Sequence, residues 1–404
     1  MVNAPPKVLT FVRGYLPGFK YGGPIRSLAS MAERLAGEIS FRVVTSDHDF
    51  GDAEPYPGIP PGVWQRAGNA TVMYLPVSKM TLSGVRAIIQ KTEHDIVYLN
   101  SFFAPAFTIR PLLLRRLGLI PRRPVIVAPR GEFSPGALAL KSYKKRPYLT
   151  VVRPAGLYAG VTWHASTAVE AANIRRWFGA GAAVVVAPNL AAAMTAAARP
   201  RAKPSAELRL VFISRINREK NLHGAVTMLR GLRGNVTFDI YGPLGDPAYF
   251  AHCQRLAAAL PANVRVGYRG MVPHEQVPTV LAQYNVLFLP SRGENFGHAI
   301  LEALAAGRPV IISDRTPWRG LAEHRAGWDL PLEQPAQFTR VLQRCVDMGP
   351  EEYAIWSEGA RAHAQTRQSD PTLVDRTRNL FHTVLSYAPP PADAAEPSLQ
   401  RSRG

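Results

Sequence analysis

Asn285-Val-Leu-Phe-Leu-Pro290-Ser-Arg-Gly-Glu294-Asn-Phe-Gly297-His-Ala-Ile-Leu-Glu302 changes its periodicity part-way along. Asn285–Pro290 is a short continuous apolar run, the pattern of a parallel strand buried on both faces. Ser291-Arg-Gly is a turn signal. A helical pattern runs from Phe296 to Ala306, Gly307 stops it, and a second apolar strand follows at Pro309–Ser313. In such strand–loop–helix–strand units, ligands sit beyond the carboxyl ends of the strands, where the helix begins. Glu294 and Glu302 have seven residues between them, about two helical turns, so both can face one cleft. That spacing alone is ordinary for solvated glutamates; the context is not. Glu302 lies within Ala299-Ile-Leu-Glu-Ala-Leu-Ala-Ala306, where a lone charge is costly unless something binds it. Glu294 lies between Gly293 and Gly297, which leave room for a ligand.

The same β–α alternation extends in both directions. Upstream in the second half, strands are expected at 208–213, 236–241 and 264–266, with helices at 222–232 and 248–260. In the first half, strands are expected at 7–12, 41–45, 72–75, 95–99, 125–128, 161–164 and 184–187. Basic helices are expected at 107–117 and 139–152, and residues 46–70 read as an irregular polar loop. Gly22-Gly23-Pro24 after the first strand opens a helical pattern, a candidate phosphate cradle with free N–H groups. Residues 191–207 break the alternation as a linker. The expected fold is α/β, with two Rossmann-like doubly wound parallel-sheet domains facing a cleft. Residues 1–190 form the first domain and 208–370 the second. A helix at 371–387 packs back on the first domain, and 388–404 form a disordered tail.

The chain has 404 residues, enough for two ordinary domains. No apolar run reaches the ~18 residues a membrane span needs. The first residues lead straight into a strand without a signal-peptide pattern. The two cysteines, Cys253 and Cys345, have no metal-like spacing and read as ordinary thiols. The expectation is therefore a cytoplasmic protein. Net charge is +19 and unevenly placed: residues 1–190 carry 23 basic and 10 acidic residues, the remainder 25 and 19. Arg110–Arg153 alone holds eleven basic residues and one acid, Glu132. Such a stripe calls for an anionic partner.

Arg215 and Lys220 follow the first strand of the second half and could hold two adjacent phosphates. With them the chain resembles the retaining glycosyltransferases of the GT-B fold, family 4 (glycosyl transferases group 1), over nearly all of residues 7–387. The residues that carry the resemblance are Gly22-Gly23, Ser214-Arg215 with Glu219-Lys220-Asn221, Gly242-Pro243, Pro290-Ser291, Glu294 with Glu302-Ala303, and Ala306-Gly307-Arg-Pro309-Val310. The resemblance implies that Arg215 and Lys220 bind the diphosphate of a nucleotide sugar. It implies that Glu294 holds donor-sugar hydroxyls and Glu302 the ribose. Backbone N–H groups at Phe296 and Gly297 would contact sugar and phosphate, Gly22-Gly23 would close over the phosphate, and Gly242 and Met271 would border the base. It implies transfer with retention and without a metal or other cofactor. Two positions depart from the family: Arg130 stands where many relatives have a histidine and takes its place as a catalytic candidate, and Asn189-Leu190 replaces an interdomain Asn-Gly. His164, also at a strand end, reads as a packed histidine.

The expected partners are a nucleotide-sugar donor, a glycan or polyprenyl-linked acceptor, and an anionic membrane surface met by residues 110–153 at the inner face of the cytoplasmic membrane. A solvated basic face is the competing reading of that stripe. Nucleic acid fits the charge, but no binding module accompanies it, and none is expected as a partner. A sugar phosphorylase of the same fold would need a pyridoxal-phosphate lysine context that is missing. A non-catalytic nucleotide-sugar- or RNA-binding protein with a degenerate site is the alternative from another class.

Overall fold

The computed structural model describes residues 4–139, 142–191 and 203–386. Most of the expected linker and the whole tail from 388 lie outside them. The first sheet contains β1 (Lys7–Val12), β2 (Ser40–Ser46), β3 (Trp64–Ala67), β4 (Ala70–Leu75), β5 (Ile96–Asn100), β6 (Val125–Ala128), β7 (Thr162–Ala165) and β8 (Val184–Val186). Its order is β3-β4-β2-β1-β5-β6-β7-β8. The second contains β9 (Glu207–Ile213), β10 (Asn235–Tyr241), β11 (Val264–Tyr268), β12 (Val286–Leu289), β13 (Val310–Ser313) and β14 (Gly327–Leu330). Its order is β11-β10-β9-β12-β13-β14. All pairings are parallel except β3 with β4. In each sheet the order reverses beside the first strand, β1 or β9, which opens a crevice at the strands' carboxyl ends.

The helices are α1 (Gly23–Arg34), α2 (Leu82–Lys91), α3 (Arg110–Arg116), α4 (Pro135–Ala139), α5 (Ser142–Val152), α6 (Ala168–Phe178), α7 (Leu222–Met228), α8 (Pro247–Ala258), α9 (Val277–Leu281), α10 (His298–Ala305), α11 (Pro335–Asp347), α12 (Pro350–Ser369) and α13 (Pro371–Ser386). Central strands are apolar on both faces because helices cover both. Val127, Leu99 and Phe11 join one core of the first domain, while Ile126, Tyr98 and Val8 join the other. From α13, Leu380, Phe381 and Val384 enter that second core, with Phe381 against Phe41 and Tyr98. The chain thus returns to its first domain.

Several elements differ from expectation. Residues 46–70 contain a strand: β3 turns back onto β4 through Gly68-Asn69, a two-residue hairpin with Gly68 at φ 59°. The first basic helix begins as a π-turn, Pro105–Ile109, and is regular only as α3. The second is divided into α4 and α5. α7 stops at Met228, and β11 runs on to Tyr268. α10 starts two residues later than its pattern, because Gly297 is left-handed at its N-cap. Phe296 and Gly297 therefore belong to the loop.

Candidate active site

The loops after β9 and β12 meet at the cleft floor. Asn217 caps the short turn Arg218–Lys220 through the Lys220 N–H, and Asn221, left-handed at φ 58°, donates from its amide to Pro290 O at 3.0 Å. The Arg292 N–H donates to Glu219 O at 2.7 Å. These ties bring Lys220 Nζ to 2.6 Å from Glu294 Oε1. Both side chains are mostly shielded, so the pair is stronger than a surface ion pair. Glu219 lies beside it; burial and the Glu294 charge both push its pKa up.

Arg215 is placed differently. Its guanidinium donates to the carbonyls of Lys20 and Tyr21, both at 3.1 Å, and lies over the Phe50 ring. Arg215 and Lys220 therefore line one cleft, but each already has partners. The 19–21 segment is itself fixed by Asp49, whose carboxylate accepts the N–H groups of Phe19, Lys20 and Phe50 at 2.7–2.9 Å. Gly22, at φ 72°, is the N-cap of α1. A Cβ on Gly23 would stand 3.6 Å from His298. Gly242, at φ 142°, lies so close to Ser214 that a Cβ would fall 1.9 Å from its carbonyl oxygen. Met271 is exposed near that turn, and the Phe296 carbonyl accepts Trp318 Nε1 at 2.6 Å.

Glu302 is buried. One oxygen pairs with the Arg26 guanidinium from α1, across the cleft; the other, Oε2, has no partner among the described residues. Arg26 Nη2 also lies 2.8 Å from His274 Nε2. Burial, then Arg26, pull the His274 pKa down to about 4, so its ring is neutral and accepts. One helical turn before Glu302, His298 stands 2.9 Å from Ser27 Oγ. Burial above all, then Arg26, hold its pKa well below the histidine range. A further bridge links Asn295 to the first domain. Ser166 Oγ lies 2.8 Å from Glu170 Oε2 and 2.7 Å from Asn295 Oδ1, so its one hydroxyl proton lies between two acceptor oxygens.

Arg130 is left-handed at φ 56°. Its guanidinium donates to Asn100, Asn189 and Tyr98, all of the first domain. Tyr98 in turn donates to His164 Nδ1 at 2.7 Å, and His164 Nε2 donates to Ala187 O at 2.8 Å. Arg130 and His164 thus belong to one hydrogen-bonded chain, which accounts for His164 as a packed histidine and engages three of the five N–H donors of Arg130.

Residues 194–363 match the family model described as Glycosyl transferases group 1. The D-inositol 3-phosphate glycosyltransferase of Streptomyces avermitilis is 32% identical over 157 residues, 38% of this chain and 33% of that protein. The chain thus matches about a third of that relative's length. Sucrose-phosphate synthase from Thermosynechococcus elongatus superposes with a TM-score of 0.70 at 17% identity, covering 95% of this chain and 100% of that one. HepE of Anabaena, solved in complex with UDP-glucose, gives 0.65 at 16% identity, covering 94% and 100%.

The fold is GT-B.

In this GT-B chain the second domain supplies Arg215, Lys220, Glu294 and Glu302 to the cleft, and the first supplies the Gly22-Gly23 turn. Cleft residues not singled out from sequence include Arg26, Ser27, His274 and His298. The spacing of His298 and Glu302, four residues apart on one helix face, was a readable signal. Nothing local marks Arg26 or His274, which meet only through the tertiary fold.

Proposed function

We propose that this protein is a retaining, metal-independent glycosyltransferase of family 4. It moves a sugar from a nucleotide-diphosphate-sugar to a glycan or lipid-linked acceptor in surface-polysaccharide or glycolipid assembly. The observation that carries this reading is the Lys220–Glu294 pair in a GT-B cleft that also holds Arg215 and the half-paired Glu302. A diphosphate would exchange with the two carbonyls on Arg215 and share Lys220 with Glu294. A donor sugar hydroxyl would donate to Glu294, and a ribose hydroxyl to Glu302. The bond between the anomeric carbon and the phosphate oxygen breaks, and the acceptor oxygen bonds to the carbon on the same face. Its proton passes to the departing phosphate oxygen. Fixed cations stabilise the charge developing on that phosphate, so catalysis is mainly electrostatic positioning. The structures solved with UDP-glucose favour a uridine donor as the first trial.

The acceptor is proposed to lie at an anionic membrane surface met by α3 and α5. Leu117, Tyr143 and Val151 are exposed among the arginines and lysines of that stripe. Glu132 is engaged inward, accepting from Ser101, Phe102 and Phe103. Exposed apolar groups within a basic field suit a headgroup region.

The test is a thermal-shift panel of UDP-, GDP-, ADP- and CDP-sugars with and without EDTA, followed by transfer assays on membrane extract. Stabilisation by one nucleotide family, indifferent to EDTA, and sugar transfer with retained anomeric configuration are expected. Stabilisation without transfer to any acceptor would favour the non-catalytic binding protein.

A further inference from the structure

Arg292, two residues before Glu294, turns its guanidinium towards α7: its Nη2 stands 3.5 Å from His223 Nε2. The buried Tyr249 of α8 fixes the other side of that ring. Its hydroxyl accepts the His223 N–H at 3.0 Å and lies 2.7 Å from Nδ1. The Arg218 guanidinium lies over the Tyr249 ring at 5.5 Å, and the His252 ring is 6.3 Å from that of His223. The turn after β9, α7, α8 and the loop after β12 thus bring two guanidinium groups and two imidazoles together. Arg218, His252 and Arg292 are exposed, and His223 is half-buried.

Little negative charge answers them. Asp246 caps α8 through the Tyr249 N–H and stands 3.9 Å from Arg218. The Glu219 carboxylate lies among Lys220, Glu294, Lys145 and Arg215 instead. Among the described residues, Arg292 and His252 have no carboxylate partner. Burial, then the charges of Arg292, His252 and Arg218, hold the His223 pKa below the usual histidine range. Like charges gathered at fixed positions repel, and a bound anion removes that cost. One guanidinium answers a carboxylate; two, with imidazoles beside them, suit the multiple charge and several acceptor oxygens of a phosphate.

The loop that carries Arg292 also borders the cleft. A Cβ on Gly136 would lie 3.7 Å from Glu219 Oε1 and 3.9 Å from Arg292 O, and one on Gly293 would lie 4.0 Å from Ser134 Oγ. The start of α4 therefore meets this loop across the cleft, and the basic α5 follows it. From this we infer that Arg218, His223 and Arg292 build an anion subsite beside the donor site, and that it takes a phosphate group carried by the acceptor. The assignment to the acceptor rests on the transferase reading above; the phosphate site itself stands on the cluster alone.

The test follows the His223 ring signal by NMR, assigned by its loss in His223→Gln, while inorganic phosphate is added to the full chain at constant ionic strength. The titration is run with and without saturating UDP, and glucuronate replaces phosphate in a parallel arm. Phosphate should shift the signal saturably and to the same extent beside UDP, and glucuronate should bind more weakly. Arg292→Ala and Arg218→Ala, on separate loops, should each weaken phosphate binding at least about fivefold while melting within about 2 °C of wild type. In transfer assays on membrane extract, Arg292→Ala should raise the amount of extract needed for half-maximal transfer and leave the donor KM unchanged. No saturable shift, an equal response to glucuronate, loss of the phosphate response once UDP is bound, or unchanged affinity in both variants would overturn the subsite. Phosphate binding beside UDP with an unchanged extract dependence in Arg292→Ala would overturn its assignment to the acceptor. If UDP does not bind at all, the donor-site reading fails, and the titration with phosphate alone still decides the subsite.

Discussion

Glu294 and Lys220 are the pair whose replacement separates chemistry from stability. Glu294→Gln keeps the shape and a hydrogen-bond acceptor for Lys220, so it should melt close to wild type while transfer falls at least about 100-fold. Lys220→Met leaves the Glu294 carboxylate shielded without its cation and should lose activity as well as about 1–3 kcal/mol of stability, measurable by urea unfolding. A Glu294→Gln variant with wild-type turnover would remove that residue from the reaction. His164 gives a pH signature. Burial, then the Arg130 charge, pull its pKa to about 3, well below the ordinary 6.5. The unfolded chain therefore binds the extra proton first. The neutral ring's contribution is complete above pH 6.5 and is lost as pH falls from 6.5 towards 3, at up to about 1.4 kcal/mol per pH unit. The buried His298 shifts in the same direction. Melting temperature should fall steadily across that window, and His164→Gln should flatten the slope. A wild-type profile flat from pH 6.5 to 4 would contradict this placement of the ring.

At the scale of elements, the glycines at the cleft decide how closely the two halves meet. Gly131 has φ 83°, and a Cβ there would lie 3.2 Å from Asn295 across the cleft. Gly131→Val should therefore hinder closure: the donor KM should rise, with a stability loss of about 1–2 kcal/mol from the left-handed backbone. Steady-state kinetics and a melt on the same preparation would separate the two effects. Gly242→Ala is the contrasting case, since its Cβ would collide with backbone within the second domain. It should destabilise by more than about 2 kcal/mol whatever the donor. The sequence was most legible where one element is long and strongly patterned. The apolar runs of β9, β10, β12 and β13 and the Glu294–Glu302 unit could be read from periodicity alone. The short β3 was hidden inside a Pro/Gly-rich region, although Gly68-Asn69 was a hairpin signal. The start of α10 was misplaced because apolar spacing says nothing about the left-handed Gly297. Arg26 could not be read at all, because its partner lies 276 positions away and the two meet only when both domains are folded.

For the whole molecule, the uneven charge makes a measurable claim. Co-sedimentation with vesicles containing phosphatidylglycerol should retain the protein, and neutral phosphatidylcholine vesicles should not. Binding should weaken steeply with salt. Replacing Arg116, Arg122 and Lys144 with Glu, with Leu117→Ser, should abolish retention while leaving the melting temperature within about 2 °C. Equal retention on neutral vesicles, or none on anionic ones, would return that face to the solvent. The return of α13 to the first core has a different consequence. The polypeptide leaves the first domain after β8 and comes back after α12, so the second domain is an insertion within the first, tethered at both ends. Two tethers restrict its movement more than one would. They also dictate how the protein can be cut: the inserted unit, about 203–369, is continuous in sequence and has its own core. The host domain cannot be obtained by stopping at residue 190, because Leu380, Phe381 and Val384 would be missing from its core. It would have to be made by splicing the segment before the insertion directly to α13.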